Sequence, residues 1–317
     1  MSPFHIVSLD GGGIRGILTS ALLERLESAQ PGFLAQVDLY AGTSTGGILA
    51  LALASGMTPT EARKLYERLG TKVFQDSFWD NLKDLGQLKG AQYSNGPLRE
   101  ELTNTFGSKI LGDLPHNVLV SSFDLDNEAT GMGNVRSWKA KYFHNFPGSD
   151  SDAHEKVVDV ALRTSAAPTF FPIYQGYVDG GVVSNNPSMC AVAQAVEPNS
   201  GKQKLRDVRV LSLGTGTNPK YMAELDEDWG LVQWAPHLIS LMLEGSVGLA
   251  DYQCHQLLGS HYFRVNPVLP VEIGLDGVDQ IPLMETLASQ FDLSEAGAWV
   301  KRNFRAAKEM RAESPQT

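Results

Sequence analysis

The run Phe4 to Leu9 (FHIVSL) is short and largely apolar, which predicts a buried strand. Asp10 and three glycines follow it. Apolar residues then recur at helical spacing from about Ile17 to Leu26, until Pro31 and Gly32 stop them. A second unit of strand, glycine turn and helix comes next: Val37 to Ala41, then GTSTGG, then an apolar stretch reaching about Ser55. Gly56 ends that helix, and Pro59 begins another with Thr58 as N-cap and Glu61 as its acidic third residue. From Thr71 to about Asn95 the pattern weakens to Phe74, Phe78, Trp79 and Tyr93 among polar residues. That segment reads either as an irregular flap over a pocket or as a peripheral stretch held by aromatic anchors.

Strands are expected at Asn117 to Phe123 and Trp138 to Phe143, an exposed loop from Pro147, and a helix from about Ala153 to Thr164. The same rhythm continues through a strand at Gly176 to Val178, a helix at Pro187 to Ala195 and a central-type strand at Val208 to Leu213. Trp234 to Leu258 predicts one long helix or two, His261 to Val265 a strand, and Pro282 to Arg311 two helices parted near Leu293 to Glu295. No fixed-period repeat and no linker-like run divides the chain. The expectation is one α/β domain over 1–317, with a helical part at about 230–312 packed on it and a mostly parallel sheet covered on both faces.

At 317 residues, with 42% hydrophobic and 20% charged positions, there is ample material for a folded core. The net charge of −10 argues against nucleic acid as a partner and against long-range attraction to anionic bilayers. A neutral or zwitterionic lipid surface stays open. Two cysteines, Cys190 and Cys254, allow one disulfide at most, and no Cys/His cluster has zinc-site spacing. The start MSPFHIVSLDGGG has no cationic segment before an apolar one, and the longest apolar stretch, Ile48 to Ala54, is far shorter than a membrane span. A cytoplasmic protein is expected, with peripheral membrane association left open; a mature chain stripped of its signal has the same pattern.

Gly11, Gly13 and Gly16 satisfy G-x-G-x-x-G between a strand and a helix, the context of a dinucleotide fingerprint. Against that reading, Gly12 makes the loop richer in glycine than the fingerprint needs, and no strand ends in Asp or Glu about 20 residues on. The Gly-Lys-Ser/Thr ending of a Walker A loop is also missing. A structural turn is a second reading. The third is an oxyanion nest, in which glycines let successive N–H groups converge beside the positive end of the following helix. Arg15 then either clamps a polar part of the substrate or pins the loop.

Gly42-Thr43-Ser44-Thr45-Gly46 is a G-x-S-x-G placed after a strand and before an apolar helix, which makes Ser44 a candidate nucleophile rather than a plain N-cap. Only one strand is expected before the one that leads into Ser44, unlike the common α/β-hydrolase order. The seven histidines, His5, His116, His144, His154, His237, His255 and His261, sit in no pairing that marks a base. Asp179, at the end of the strand Gly176 to Val178 and before two glycines, is either a backbone cap or a carboxylate placed to meet a serine at another strand end. Trp229, Leu231, Trp234, Leu238, Leu241, Met242 and Leu243 could line an acyl groove, rest on an interface or pack on the sheet.

Taken together, DGGGIRG from Asp10, GTSTGG from Gly42, SAAPTFFP from Ser165, and DGG from Asp179 with NNP at Asn185 resemble the patatin-like phospholipases, or lipid acyl hydrolases, across residues 4–187. The resemblance implies a three-layer α/β/α fold and a Ser–Asp dyad without histidine, Ser44 with Asp179. It implies that Gly11, Gly12, Gly13 and Arg15 form the oxyanion element. The implied reaction is hydrolysis of fatty-acyl esters through an acyl-enzyme, with no cofactor and no calcium site. An acyltransferase using the same intermediate is the enzymatic alternative, and a nucleotide-binding protein the non-enzymatic one.

Overall fold

Alternation along β1 (Phe4–Leu9) decides the layering. Phe4 and Ile6 turn into one apolar cluster, Val7 and Leu9 into another, and all four are buried. A strand buried on both faces needs helices on both sides. The computed structural model, which describes residues 3–75, 90–130, 135–222 and 228–304, has that three-layer α/β/α arrangement.

The central sheet comprises β1, β2 (Leu39–Thr43), β3 (Asn117–Asp124), β4 (Lys139–His144), β5 (Tyr177–Asp179), β6 (Val208–Leu213) and β7 (Tyr262–Val265), in the order β4-β3-β2-β1-β6-β7. The run from β3 to β7 is parallel, and β4 is antiparallel to β3. Each strand expected from the sequence is there. β2 starts two residues later than Val37 because Leu34–Gln36 wind into a 3-10 turn for which Val37 is the cap.

The short strand β5 lies off this path. It pairs antiparallel with β3, Ser122 opposite Asp179 and Asp124 opposite Tyr177. The same β3 residues pair β4 on their other edge, Ser122 opposite Lys141. β5 therefore occupies the edge of β3 that belongs to β2, which stops one residue earlier, at Thr43 opposite Ser121. The end of β5 and the end of β2 meet in one slot of the sheet.

The helices are α1 (Gly16–Ala29), α2 (Thr45–Ala54), α3 (Pro59–Leu69), α4 (Asn95–Phe106), α5 (Val157–Thr164), α6 (Gly181–Ser184), α7 (Ser188–Val196), α8 (Leu231–Leu258), α9 (Ile281–Gln290) and α10 (Ser294–Asn303). On one side of the sheet, residues of α1, α2, α3, α9 and α10 share a cluster with Val7 and Leu9. On the other, α7 and the end of α8 cover Ile6 and Leu39. α2 is apolar all round and buried all round, the fate such a helix requires. Each of its leucines stabilises the fold by about 1.5–3 kcal/mol, so Leu49→Ala costs about 2–5 kcal/mol with its cavity term.

The reciprocal cap of α3 is present: the Glu61 amide donates to the Thr58 hydroxyl, and the Glu61 carboxylate accepts from the Thr58 amide at 2.8 Å. α8 is a single helix of 28 residues. α4 carries Gly96 and Pro97 in its first turn. Proline is tolerated in a first helical turn, and Leu98, Leu102 and Phe106 then fall on one buried face. Tyr93 is buried against Phe170 and Phe171 as an anchor, while Phe78 and Trp79 lie outside the described residues, as does the stretch after Phe304.

Candidate active site

Ser44 is the single residue between β2 and α2, at φ 54° and ψ −122°. For a side chain with a Cβ this conformation costs about 1–3 kcal/mol and persists only where the surroundings enforce it. The enforcement is visible: the Ser44 amide donates to Thr164 Oγ1 at 2.8 Å, and its carbonyl accepts from the Ile48 amide at 3.0 Å. Gly46 allows the tight turn to lie on β1, since a Cβ there would stand 2.1 Å from the Leu9 carbonyl oxygen.

Asp179 comes to the same place from β5. Its side chain is buried, accepts from the Gly181 amide at 2.7 Å and lies in the same cavity as the Ser44 hydroxyl, near enough for the two to interact. Burial raises its pKa to about 6, against the opposing pull of the Ser44 hydroxyl and the Gly181 amide. The structure thus brings Ser44 and Asp179 together. Among the described residues no histidine lines the cavity that holds them. His5, for instance, is taken up by the carbonyls of Gln36 and Asn303.

The four candidates of the glycine loop separate into two pairs. Gly12 and Gly13 line the cavity with Ser44 and Asp179. Gly13 has φ 59°, and a Cβ there would meet the Leu275 carbonyl oxygen at 2.1 Å, so glycine is required twice over. The Gly11 amide, in contrast, already donates to the Asn185 carbonyl at 2.9 Å, and the Gly11 carbonyl accepts from Thr215 Oγ1. Arg15 is buried and donates to the carbonyls of Gly12 at 3.3 Å and Gly216 at 3.1 Å. Burial lowers its pKa, partly offset by Glu244 and Asp10. These contacts are those of a residue that pins the loop. Asp10, at the loop's start, is held by Arg264 of β7 at 2.5 Å.

The cavity has a volume of about 390 Å³. Apart from Asp179, no charged side chain among the described residues lines it; its walls include Ile48, Leu69, Leu98, Phe170 and Val178. From α8 come Ile239, Met242 and Leu243. Trp138 and Met242 line it and are also 70% and 47% exposed, which puts them at its mouth. Leu231, Trp234, Leu238 and Leu241 neither line the cavity nor pack on the sheet: they face solvent.

The sequence profile of the patatin-like phospholipases matches residues 7–192, over half of the chain, including Gly12, Gly13, Ser44 and Asp179. The chain belongs to the patatin-like phospholipase family. It is 34% identical over 271 residues to a cGAMP-activated phospholipase of Pseudomonas aeruginosa, covering 83% of this chain and 78% of that one. It is 29% identical to protein teg of Priestia megaterium, covering 96% and 100% respectively. With the 85/88 kDa calcium-independent phospholipase A2 of Mus musculus it shares 28% identity over 89% of its own length and 38% of the relative's. As a patatin-like enzyme it is a lipid acyl hydrolase, acting on lipid or ester substrates.

Several residues around the site of this patatin-like protein carry no local sequence signal. Thr164, Thr215, Arg264 and Leu275 act through contacts that only the folded sheet creates; Arg264 reaches Asp10 across 254 positions of sequence. Asn185 belongs to the NNP motif, but its task, receiving the Gly11 amide, is visible only in the fold.

Proposed function

We propose that this enzyme cleaves fatty-acyl esters of glycerolipids or phospholipids, with Ser44 as nucleophile and Asp179 as its general base. The reading rests on one observation above all: a buried carboxylate beside a strained serine inside an apolar cavity. Ser44 Oγ attacks the acyl carbonyl and its proton passes to Asp179. The amides of Gly12 and Gly13 take up the charge that develops on the carbonyl oxygen. Collapse of this intermediate expels the alcohol, which leaves with the proton from Asp179, and the acyl group remains on Ser44. Asp179 next draws a proton from water, which attacks the acyl-enzyme; on collapse Asp179 returns that proton to Ser44 Oγ and the fatty acid leaves.

The composition of the cavity supports an acyl chain over a nucleotide. A pyrophosphate is commonly met by Lys or Arg, and none among the described residues lines this mainly apolar space. Calcium independence is proposed with it, in line with the description of the murine relative. The mouth has Trp138, the exposed apolar residues of α8 and no Lys or Arg lining it among the described residues, which favours peripheral contact with a neutral or zwitterionic lipid surface over an anionic one. Purified protein and Ser44→Ala, assayed on a panel with head group and acyl length varied separately, test the reading. Release of fatty acid by the first and not the second is expected. Equal release by both, or hydrolysis confined to esters without a fatty-acyl chain, overturns it. Added glycerol shows how far the acyl-enzyme also serves as a transferase.

A further inference from the structure

Thr164, the last residue of α5, is fully buried, and its side-chain oxygen has two hydrogen-bond partners. Its hydroxyl donates to the Ser121 carbonyl at 2.6 Å, which leaves a lone pair to accept the Ser44 amide at 2.8 Å. Ser121 is the β3 residue opposite the end of β2, and its neighbour Ser122 is paired with Asp179. The backbone beyond Thr164 is committed in the same direction. The Thr164 carbonyl accepts from the Gly180 amide at 3.3 Å, and the Ala166 carbonyl accepts from the Asp179 amide at 3.0 Å. One short stretch, 164–166, therefore grips the amide of Ser44 and the amides of Asp179 and Gly180.

From this geometry we infer that Thr164 is a positioning residue: its hydroxyl ties the strained serine turn to β3 in register with the carboxylate. The inference rests on the Ser44–Asp179 reading and adds to it the group that fixes their relative placement. The strain at Ser44 makes the tie necessary. A non-glycine residue at φ 54° relaxes unless its neighbours hold it, and the Ser44 amide is at the head of α2, where no preceding turn of helix supplies an acceptor. The methyl of Thr164 has a different task. It lies where a Cβ on Gly47 would be, at 2.9 Å, so it packs on the first turn of α2. Hydroxyl and methyl can thus be tested apart.

Thr164→Val keeps the shape and removes the hydrogen bonds, stranding the Ser44 N–H and the Ser121 carbonyl in a buried place. Thr164→Ser keeps the hydroxyl and removes the methyl. Fluorophosphonate labelling of the full-length protein reads both the number of competent sites and the rate constant of each. For Thr164→Val the labelling rate constant and kcat should fall roughly tenfold to a hundredfold, with KM little changed and about one label per folded chain. Thr164→Ser should stay within about threefold of the parent. A full per-site rate in Thr164→Val, even with less folded protein, overturns the inference, as does equal impairment of the serine variant. If the valine variant does not fold, Thr164→Ala against Thr164→Ser makes the same comparison, because both lack the methyl. Ser44→Ala and Asp179→Asn are run alongside: activity retained in either sinks the underlying dyad, a result distinct from any outcome at Thr164.

Discussion

At the wall of the cavity formed by Gly12, Gly13, Ser44 and Asp179, the constraints are backbone torsions and hydrogen bonds. At the wall supplied by Ile239, Met242 and Leu243 of α8 they are side-chain bulk. The first wall is buried or half-buried and built around strand ends that meet in one slot of the sheet; the second reaches the surface at Met242. The two walls nonetheless touch, since the Asn185 amide donates to Ser246 Oγ on α8 at 3.0 Å. A wall made of backbone geometry tolerates almost no substitution, whereas a wall made of apolar bulk can change to suit another acyl chain while the reaction stays the same.

The largest effect should come from the reactive wall. Ser44→Ala should lower ester hydrolysis by on the order of a thousandfold or more and abolish fluorophosphonate labelling. Circular dichroism and melting should stay close to the parent, since alanine relieves no clash and leaves the Thr164 contact to the backbone. Intact-mass detection of a label elsewhere would break the comparison at its root. A step smaller, Gly13→Ala should slow acylation by about tenfold to a thousandfold with KM less affected, because φ 59° and the Leu275 carbonyl leave no room for a Cβ and the donors shift. Pre-steady-state acylation at the parental rate would remove the loop from the mechanism.

pH gives a separate handle on the same wall. Because the folded pKa of Asp179 is raised from 3.8 to about 6, the carboxylate proposed to accept the serine proton is lost below that value, and on that proposal acylation should rise through about pH 6 to a plateau. For stability the sign is opposite. A carboxyl with a raised folded pKa favours the native state below its unfolded pKa, and that contribution is lost as pH rises through the folded value. Asp179→Asn should therefore be more stable than the parent at pH 7–8, by up to about 3 kcal/mol, and nearly equal to it near pH 3.5. Denaturant melts at the two pH values measure the difference. A parent as stable as the variant at neutral pH would contradict the burial of that charge.

At the α8 wall the expected effects are smaller and of another kind. Met242→Ala and Leu243→Ala should change the ratio of turnover on long and short acyl chains by a few fold. Trp234→Ala and Leu238→Ala, which face solvent, should leave that ratio unchanged on dispersed monomeric esters and weaken sedimentation with phosphatidylcholine vesicles. A chain-length shift in the solvent-facing pair, and none in the cavity-lining pair, would reverse the assignment of the two faces.

The same contrast explains what is legible in the sequence. Strands buried on both faces show as short apolar runs, so Phe4–Leu9 and Val208–Leu213 can be placed to the residue. The glycines around Ser44 and the DGG at Asp179 mark local backbone demands, which is why the residues of the reactive wall stand out. Legibility ends where a role depends on a distant partner. Arg15 reads as a clamp or a pin until Gly216 is seen to receive it, and Gly11 reads as a donor until Asn185 is seen to occupy it. On α8 an apolar stretch alone does not distinguish Leu243, which lines the cavity, from Leu241, which is exposed to water.

The central claim is that Asp179, and no histidine, takes the proton from Ser44. Rapid-quench measurement of acyl-enzyme formation in Asp179→Asn, beside the seven His→Ala variants that fold, tests it most directly. Loss of the acylation burst in Asp179→Asn, with substantial bursts in each histidine variant, is the predicted result. A full burst in Asp179→Asn, or its disappearance in one histidine variant alone, would contradict the dyad and put an imidazole in its place.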